Sequence, residues 1–400
     1  MGVRTDVAGA TNEVLQEAIS AYSDEAYTNA RKLSGTGIVG TNEKIDRNTE
    51  TFIGQVRWDK PLNPAINVAS LTDNSDGTKT TTSTDYLRYV KTVRTHGAEK
   101  VNMKEVVTQR DGLAKIGRDF GETRAQDEHN ALLSVLKGVA ISEAINGAAA
   151  GSGATGLGGQ TFENDPTDSK YGFYVDLGAS IKPILAYDNT KASMEQGAQR
   201  AEAFLQALGK GWKDYELPYY YLITSPSMMA SFRSANLVDQ DRVRDGNVDF
   251  QTIFDGKFRL ISTRATQSLS AAEMTKLNTG AGVDIGGTKI SFIVAPGAVA
   301  MEPLNVPVPT EIDRDASAYQ GGGTTEIWSR WGYILLPAGY SWIGSEDEFP
   351  SDVKYQYAVE GGTAKALTSV GSGTLASTTG TFDRKFTSAL SLGILPIFHG

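Results

Sequence analysis

Between residues 11 and 33 the apolar positions Leu15, Ile19, Tyr22, Ala26, Ala30 and Leu33 recur at steps of three and four, with acids between them. That spacing predicts an amphipathic helix, broken by the glycines of SGTGIVG. From Phe52 to Lys100 the pattern changes. TFIGQVRWDKPLN and YLRYVKTVRTHGAEKV are strand-like, and the polar, turn-rich LTDNSDGTKTTTSTD separates them. Two extended arms and a soluble tip predict a long hairpin. Its arms carry too little apolar surface to fold alone, so they are expected to lie on something else, an adjacent subunit for example.

The longest helical signal runs from Arg110 to about Asn146, about 50 Å at 1.5 Å per residue. Leu113, Ile116, Phe120, Leu132, Val135, Leu136 and Val139 follow one face, whereas GETRAQDEHN is polar nearly all round. Leu132, Val135, Leu136 and Val139 are expected against the chain's own sheet. Arg118, Glu122, Arg124, Asp127 and Glu128 are expected near solvent or a neighbour. GAAAGSGATGLGG ends the helix, and KASMEQGAQRAEAFLQALG predicts another, stopped by Gly209. YYYLITSPSMMASFR reads as a strand entering a helix, with Ser225 as cap and Pro226 in the first turn. TIFDGKFRLIST carries Asp-Gly between two apolar runs, a hairpin signal. ISFIVAPGAVAMEPL reads as one buried strand, and TTEIWSRWGYILLPAGYSWIG as a long strand bent at Pro337–Gly339. Trp328 and Trp331 alternate with polar residues, as a sheet face in core or interface packing does. Residues 361–381, rich in Gly, Ser and Thr, fit either a surface loop or a small β-layer.

Composition narrows the function. The 400 residues are 40% hydrophobic and 21% charged, enough for a sizeable core in two or three lobes or one elaborate domain. There are no cysteines, so disulfides and thiolate metal sites are excluded. His96, His129 and His399 have no ligand spacing. The hairpin tip resembles a calcium loop, but Ser83 stands where a bidentate glutamate should close it. No run of about 20 apolar residues predicts a membrane span, and the N-terminal segment has no secretory pattern, so a cytoplasmic protein is expected. A net charge of −9 and an acidic first segment argue against a direct nucleic-acid reader, which needs clustered Lys and Arg. They suit a wall that encloses nucleic acid without adhering to it.

One stretch raises the question of chemistry. In VDIGGTKISFIVAPGAVA, residues 283–300, Asp284, Gly286, Gly287, Thr288 and Lys289 stand in the order of a phosphate-binding loop of an actin-fold sugar kinase. Such a loop opens its nucleotide fold, and only 111 residues follow Lys289, without a second glycine-rich loop or an evident base. A tight turn before a strand is the expected reading. TSPSM lacks the glycines and the paired histidine of a nucleophile elbow. GKGWKD lacks the spacing of a Walker loop. No catalytic, cofactor-binding or metal-binding residue is assigned, and no cofactor is expected.

The order of elements (N-terminal segment, long hairpin, half-polar long helix, compact α/β block, long returning strand) resembles the Hong Kong 97-type major capsid proteins of tailed bacteriophages. DGLAKIGRDFGETRAQDEHNALLSVLKGV (111–139) is similar to the spine helix, and YYYLITSPSMMASFR (219–233) to the strand and helix of the axial domain. KFRLIST (257–263) and ISFIVAPGAVAMEPL (290–304) resemble later axial strands, and EIWSRWGYILLPAGYSWIG (326–344) the strand returning to the peripheral domain. The resemblance implies an α+β fold. It divides the chain into an N-terminal arm (1–50), an extended hairpin or E-loop (51–105), a first peripheral segment with the spine helix (106–187), an axial domain (188–320), and a second peripheral segment with a C-terminal extension (321–400). It further implies a structural, non-enzymatic protein that assembles with itself as hexamers and pentamers around double-stranded DNA, formed in the host cytoplasm and carried in the virion. A separate scaffolding protein, a portal and a possible decoration protein are the implied partners. An encapsulin-like nanocompartment shell shares the fold and is the variant reading. Some members cross-link a hairpin lysine; Lys79 lies in the tip, but a solvated lysine is the expected reading.

Overall fold

The computed structural model describes residues 3–31, 33–47, 51–59, 84–101, 112–149, 174–176, 217–245, 248–263, 268–269, 287–315, 317–321, 323–344, 349–356, 359–360, 363–364, 381–385 and 392–400. The predicted helix over 191–209, most of the Gly/Ser/Thr-rich stretch and Lys79 lie outside them.

The chain opens with helix α1 (Val3–Ala30) and a 3-10 turn at Leu33–Gly35, then β1 (Val39–Gly40), β2 (Ile53–Asp59) and β3 (Thr84–Val101). Helix α2 (Gly112–Ala149), 38 residues long, follows. Next come β4 (Val175–Asp176), β5 (Tyr220–Thr224), α3 (Pro226–Ser234), β6 (Val238–Asp245), β7 (Val248–Ile253) and β8 (Phe258–Ser262). They are followed by β9 (Lys289–Val294), β10 (Val299–Pro303), β11 (Thr310–Asp315), β12 (Thr324–Pro337) and β13 (Tyr340–Trp342). The described elements end with α4 (Asp352–Gln356), β14 (Val359–Glu360), β15 (Thr363–Ala364), β16 (Phe382–Arg384) and β17 (Ile394–His399). The fold is α+β.

Two sheets carry it. The first runs β1-β10-β12-β3-β2, with β11 also paired to β12, and the second runs β4-β17-β9-β5-β8-β7-β6. The hairpin arms pair antiparallel from Ile53–Val90 to Asp59–Thr84. The Asp-Gly signal is also met: β7 and β8 are antiparallel, and Asp255 and Gly256 both have positive φ in the turn between them. Ser225 caps α3, its Oγ accepting from Met228 N at 3.3 Å.

The C-terminal half of α2 is the centre of the core. Every residue from Ala131 to Ala144 is buried, packed against β12, β16, β17 and α4. Leu132, Val135, Leu136 and Val139 are at most 1% exposed, as their spacing predicts. The N-terminal half of α2 is covered instead by α1, whose Ile19 joins Phe120 and Ile327 in a smaller cluster. The helices meet backbone to side chain: a Cβ on Gly121 would lie 2.2 Å from Ser23 O and 2.7 Å from Tyr27 N. Only glycine permits that approach.

Three expectations are corrected. Residues 290–304 are two strands, β9 and β10, placed in different sheets, because Pro296 and the positive φ of Gly297 turn the chain between them. The hairpin base needs no neighbour for support. β3 is an inner strand paired with β12 from Lys91 to Val101, and Leu87, Tyr89 and Val90 are buried. The polar face of α2 is not simply open, as the next subsection shows.

Candidate functional site

Asp127 and Glu128, expected near solvent or a neighbour, are tied into the chain's own fold. Asp127 Oδ2 accepts from Trp331 Nε1 at 2.9 Å and from Tyr333 OH at 3.0 Å. Its Oδ1 faces Arg94 Nε at 3.3 Å, and Arg94 Nη2 reaches Asp352 at 3.1 Å. One carboxylate thereby joins α2 to β12, and one arginine joins β3 to α4. Burial raises the Tyr333 pKa, as does the neighbouring Asp127. Burial likewise raises the Asp352 carboxyl, against the opposing pull of Arg94.

Glu128 is only 2% exposed. Tyr27 OH of α1 donates to its two oxygens at 2.8 and 2.6 Å. Arg124 Nε lies 3.4 Å from the same carboxylate and its guanidinium 4.1 Å from the Tyr27 ring centre. Burial raises the Glu128 pKa, opposed by Tyr27 and Arg124. The arrangement is a polar latch between two helices. Arg118 and Glu122 remain exposed, as predicted.

Of the phosphate-loop positions, Asp284 and Gly286 lie outside the described residues. Gly287 is buried against the last strand, and a Cβ there would sit 2.2 Å from His399 N and 2.5 Å from Phe398 C. Thr288 O accepts from Leu269 N at 2.8 Å, and Lys289 opens β9. Packing against the last strand requires glycine at this position.

Sequence spacing missed a serine–histidine pair. Ser291 Oγ lies 2.8 Å from His399 Nε2 and 3.0 Å from Thr224 Oγ1. The two residues are 108 positions apart, and no local motif announces them. Each is 1% exposed, and the adjoining cavity of about 10 Å³ has room for about one water and no substrate. This chain of hydroxyls and imidazole joins β5, β9 and β17. Ser225, the other serine considered, is a helix cap. A wider groove of about 1090 Å³ lies between α1, α2 and the end of β8, lined by Glu25, Arg118, Glu122 and His129 among others. Among the described residues no group of three or more His, Cys, Asp or Glu is placed to hold a metal ion, and no helix is long and apolar enough to cross a membrane.

What stands exposed is a sheet face and a ribbon. Trp331 is buried, but Trp328 is 41% exposed, its ring lying over Gly97 on β3. Beyond Lys91 the register of β3 with β12 ends, and residues 84–90 continue paired with β2. On that stem Tyr86 is 55% exposed.

Several solved structures with a similar course are phage capsids. The capsid of Ralstonia phage GP4 is 14% identical, with a TM-score of 0.43 over 78% of this chain and 87% of that one. The acid-stable capsid of Helicobacter pylori bacteriophage KHP30 matches at 9% identity and a TM-score of 0.44, over 93% of this chain and 92% of that one. The Cyanophage Pam1 capsid matches at 10% and 0.39, over 78% and 87%. No protein-family model matches the chain, and no curated sequence does.

Proposed function

We propose that this chain is the structural subunit of a closed icosahedral shell, a phage major capsid protein that assembles with itself and has no catalytic role. The observation that carries the reading is the β2–β3 stem. Its inner face, with Val56, Leu87 and Tyr89, is packed into the chain's own core, while its outer face presents Arg57 and Tyr86 exposed. That outer face is the surface offered to another copy. The long α2, about 57 Å at 1.5 Å per residue, gives the subunit an extended span suited to tiling. A net charge of −9 fits an inner wall that holds double-stranded DNA without binding its phosphates.

On this reading residues 1–50 form the N-terminal arm, 51–105 the extended hairpin, 106–187 and 321–400 the peripheral parts and 188–320 the axial part. A separate scaffolding protein and a portal complete the particle, which forms in the host cytoplasm and becomes the virion. Light scattering after size exclusion, with negative-stain microscopy of the purified chain, tests the proposal. Rings, tubes or shells are expected. A chain that stays monomeric across protein concentration and salt would overturn it.

A further inference from the structure

Where the root of the hairpin, the first sheet and the segment after α1 meet, the chain encloses a cavity of about 230 Å³. Strand pairing accounts for the space. A Cβ on Gly40 would lie 3.2 Å from Gly297 Cα, a tight approach across the β1–β10 pair. Gly297 holds positive φ, a conformation that favours glycine. Neither residue therefore fills the space with a side chain, and Ala300 and Ala338 add only methyl groups to the wall. The larger wall residues are Trp58 and Leu87 of the stem and Leu336 of β12. Trp58 shares a face of β2 with the buried Val56, two residues away along the pleat, so it belongs to the inner side of the stem.

The rim is held in place. Thr41, Glu43, Lys44, Asp46 and Arg47 are exposed, yet the loop they form is anchored at several points. Glu302 of β10, 1% exposed, accepts from Asn42 N at 2.8 Å and pairs with Arg47. Asn42 Oδ1 accepts from Lys44 N at 3.1 Å, and Asp46 O accepts from Tyr89 OH at 2.8 Å. Burying a carboxylate is costly unless it is paired and hydrogen-bonded, and here the buried acid fixes a surface loop. That loop presents Lys44, the one charged side chain among the described residues of the cavity wall.

An apolar cavity of about 150 Å³ is enough for a benzene ring, so this one takes a single ring with a short substituent. It lies below the roughly 300–1,000 Å³ of sites for larger ligands. An indole favours an aromatic partner, and the Lys44 ammonium favours a negative charge at the rim. We propose that the cavity binds a small aromatic anion, its ring packed among Trp58, Leu87 and Leu336 and its charged group towards Lys44. Such a ligand touches the N-terminal segment, the hairpin and the first sheet at once, and so fastens the hairpin root. It is a ligand site within one subunit and is independent of the shell reading.

Phenylacetate and indoleacetate are the probes and neutral indole the comparison, each titrated into the full chain by calorimetry and by saturation-transfer NMR. Both anions should bind saturably and more tightly than indole, and should raise the melting temperature with concentration, as a ligand of the folded state does. Ala338→Leu fills the cavity and should weaken all three by about tenfold or more, the scale of a misfit in an apolar pocket. Lys44→Ala should weaken the two anions about two- to fivefold, the scale of an exposed ion pair, and leave indole unchanged. Ala338 is half-buried and Lys44 exposed, so both variants should melt as folded proteins; if Ala338→Leu does not, the Lys44→Ala comparison decides alone. Lack of saturable binding to the wild type, undiminished binding by folded Ala338→Leu, or an equal response of indole and the anions to Lys44→Ala overturns the site.

Discussion

Glu128 shows how one residue sets a stability profile. Its carboxylate is buried against α1 and held by Tyr27 and Arg124, and burial raises its pKa above the ordinary value. Between the unfolded value of about 4.3 and the raised folded one, the folded state binds more protons than the unfolded state. Stability therefore falls as pH rises through that window. Asp352 is shifted the same way and adds its own slope, so the comparison must be with a variant. Glu128→Gln should flatten the decline of melting temperature with pH; a slope identical to wild type would show that Glu128 titrates normally. Arg124→Glu replaces the cation beside this buried carboxylate with a second anion. It should cost roughly 1–3 kcal/mol, the scale of a lost charged hydrogen bond, measurable by denaturant unfolding. From sequence alone the same change on an exposed helix face would be nearly neutral. The difference lies in Tyr27, which is 101 positions away.

At the scale of elements, α1 is held by close approach as much as by the latch. Adding a methyl at Gly121 drives a Cβ into Ser23 O, Tyr27 N and the Ala26 side chain. Overpacking of this kind costs about 1–3 kcal/mol, more than the roughly 1 kcal/mol that alanine returns in helix propensity. Gly121→Ala should therefore raise amide exchange in α1 before the rest of the chain; unchanged protection over residues 16–30 would refute the tight seam. Leu136→Ala, at 1% exposure, should cost about 2–5 kcal/mol and spread its effect across both sheets, read as a lower urea midpoint. Elements with a local signature were legible in the sequence: the periods of α1 and α2, the cap at Ser225 and the turn at Asp255–Gly256. The last strand was not. ILPIFH is buried at every position, so it has no alternation to read, and its partner β9 lies about a hundred residues earlier. Residues 290–304 failed for a related reason, since two buried strands in different sheets read as one apolar run.

For the whole molecule, the two sheets are not independent. One contiguous hydrophobic cluster includes Leu87 and Leu335 of the first sheet, Leu136 of α2, and Ile223, Ile293 and Ile397 of the second. The α2 helix touches β12 and β17, so loosening either sheet exposes the same helix. This arrangement predicts a single cooperative calorimetric transition for the described core. The C-terminal strand gives the sharper test. Removing residues 392–400 takes Leu392, Ile394, Leu395, Ile397 and Phe398, each at most 1% exposed, out of the core. At about 1.5–3 kcal/mol for each buried side chain, the loss rivals the 5–15 kcal/mol that a folded protein typically holds in reserve. It also uncovers the edge of β9. The truncated chain should lose its cooperative melt altogether, including the signal from Trp331 on the first sheet. If it kept a cooperative transition in which Trp331 stays buried, the first sheet with α2 would be a self-sufficient unit. The shared core would then be a contact between two domains.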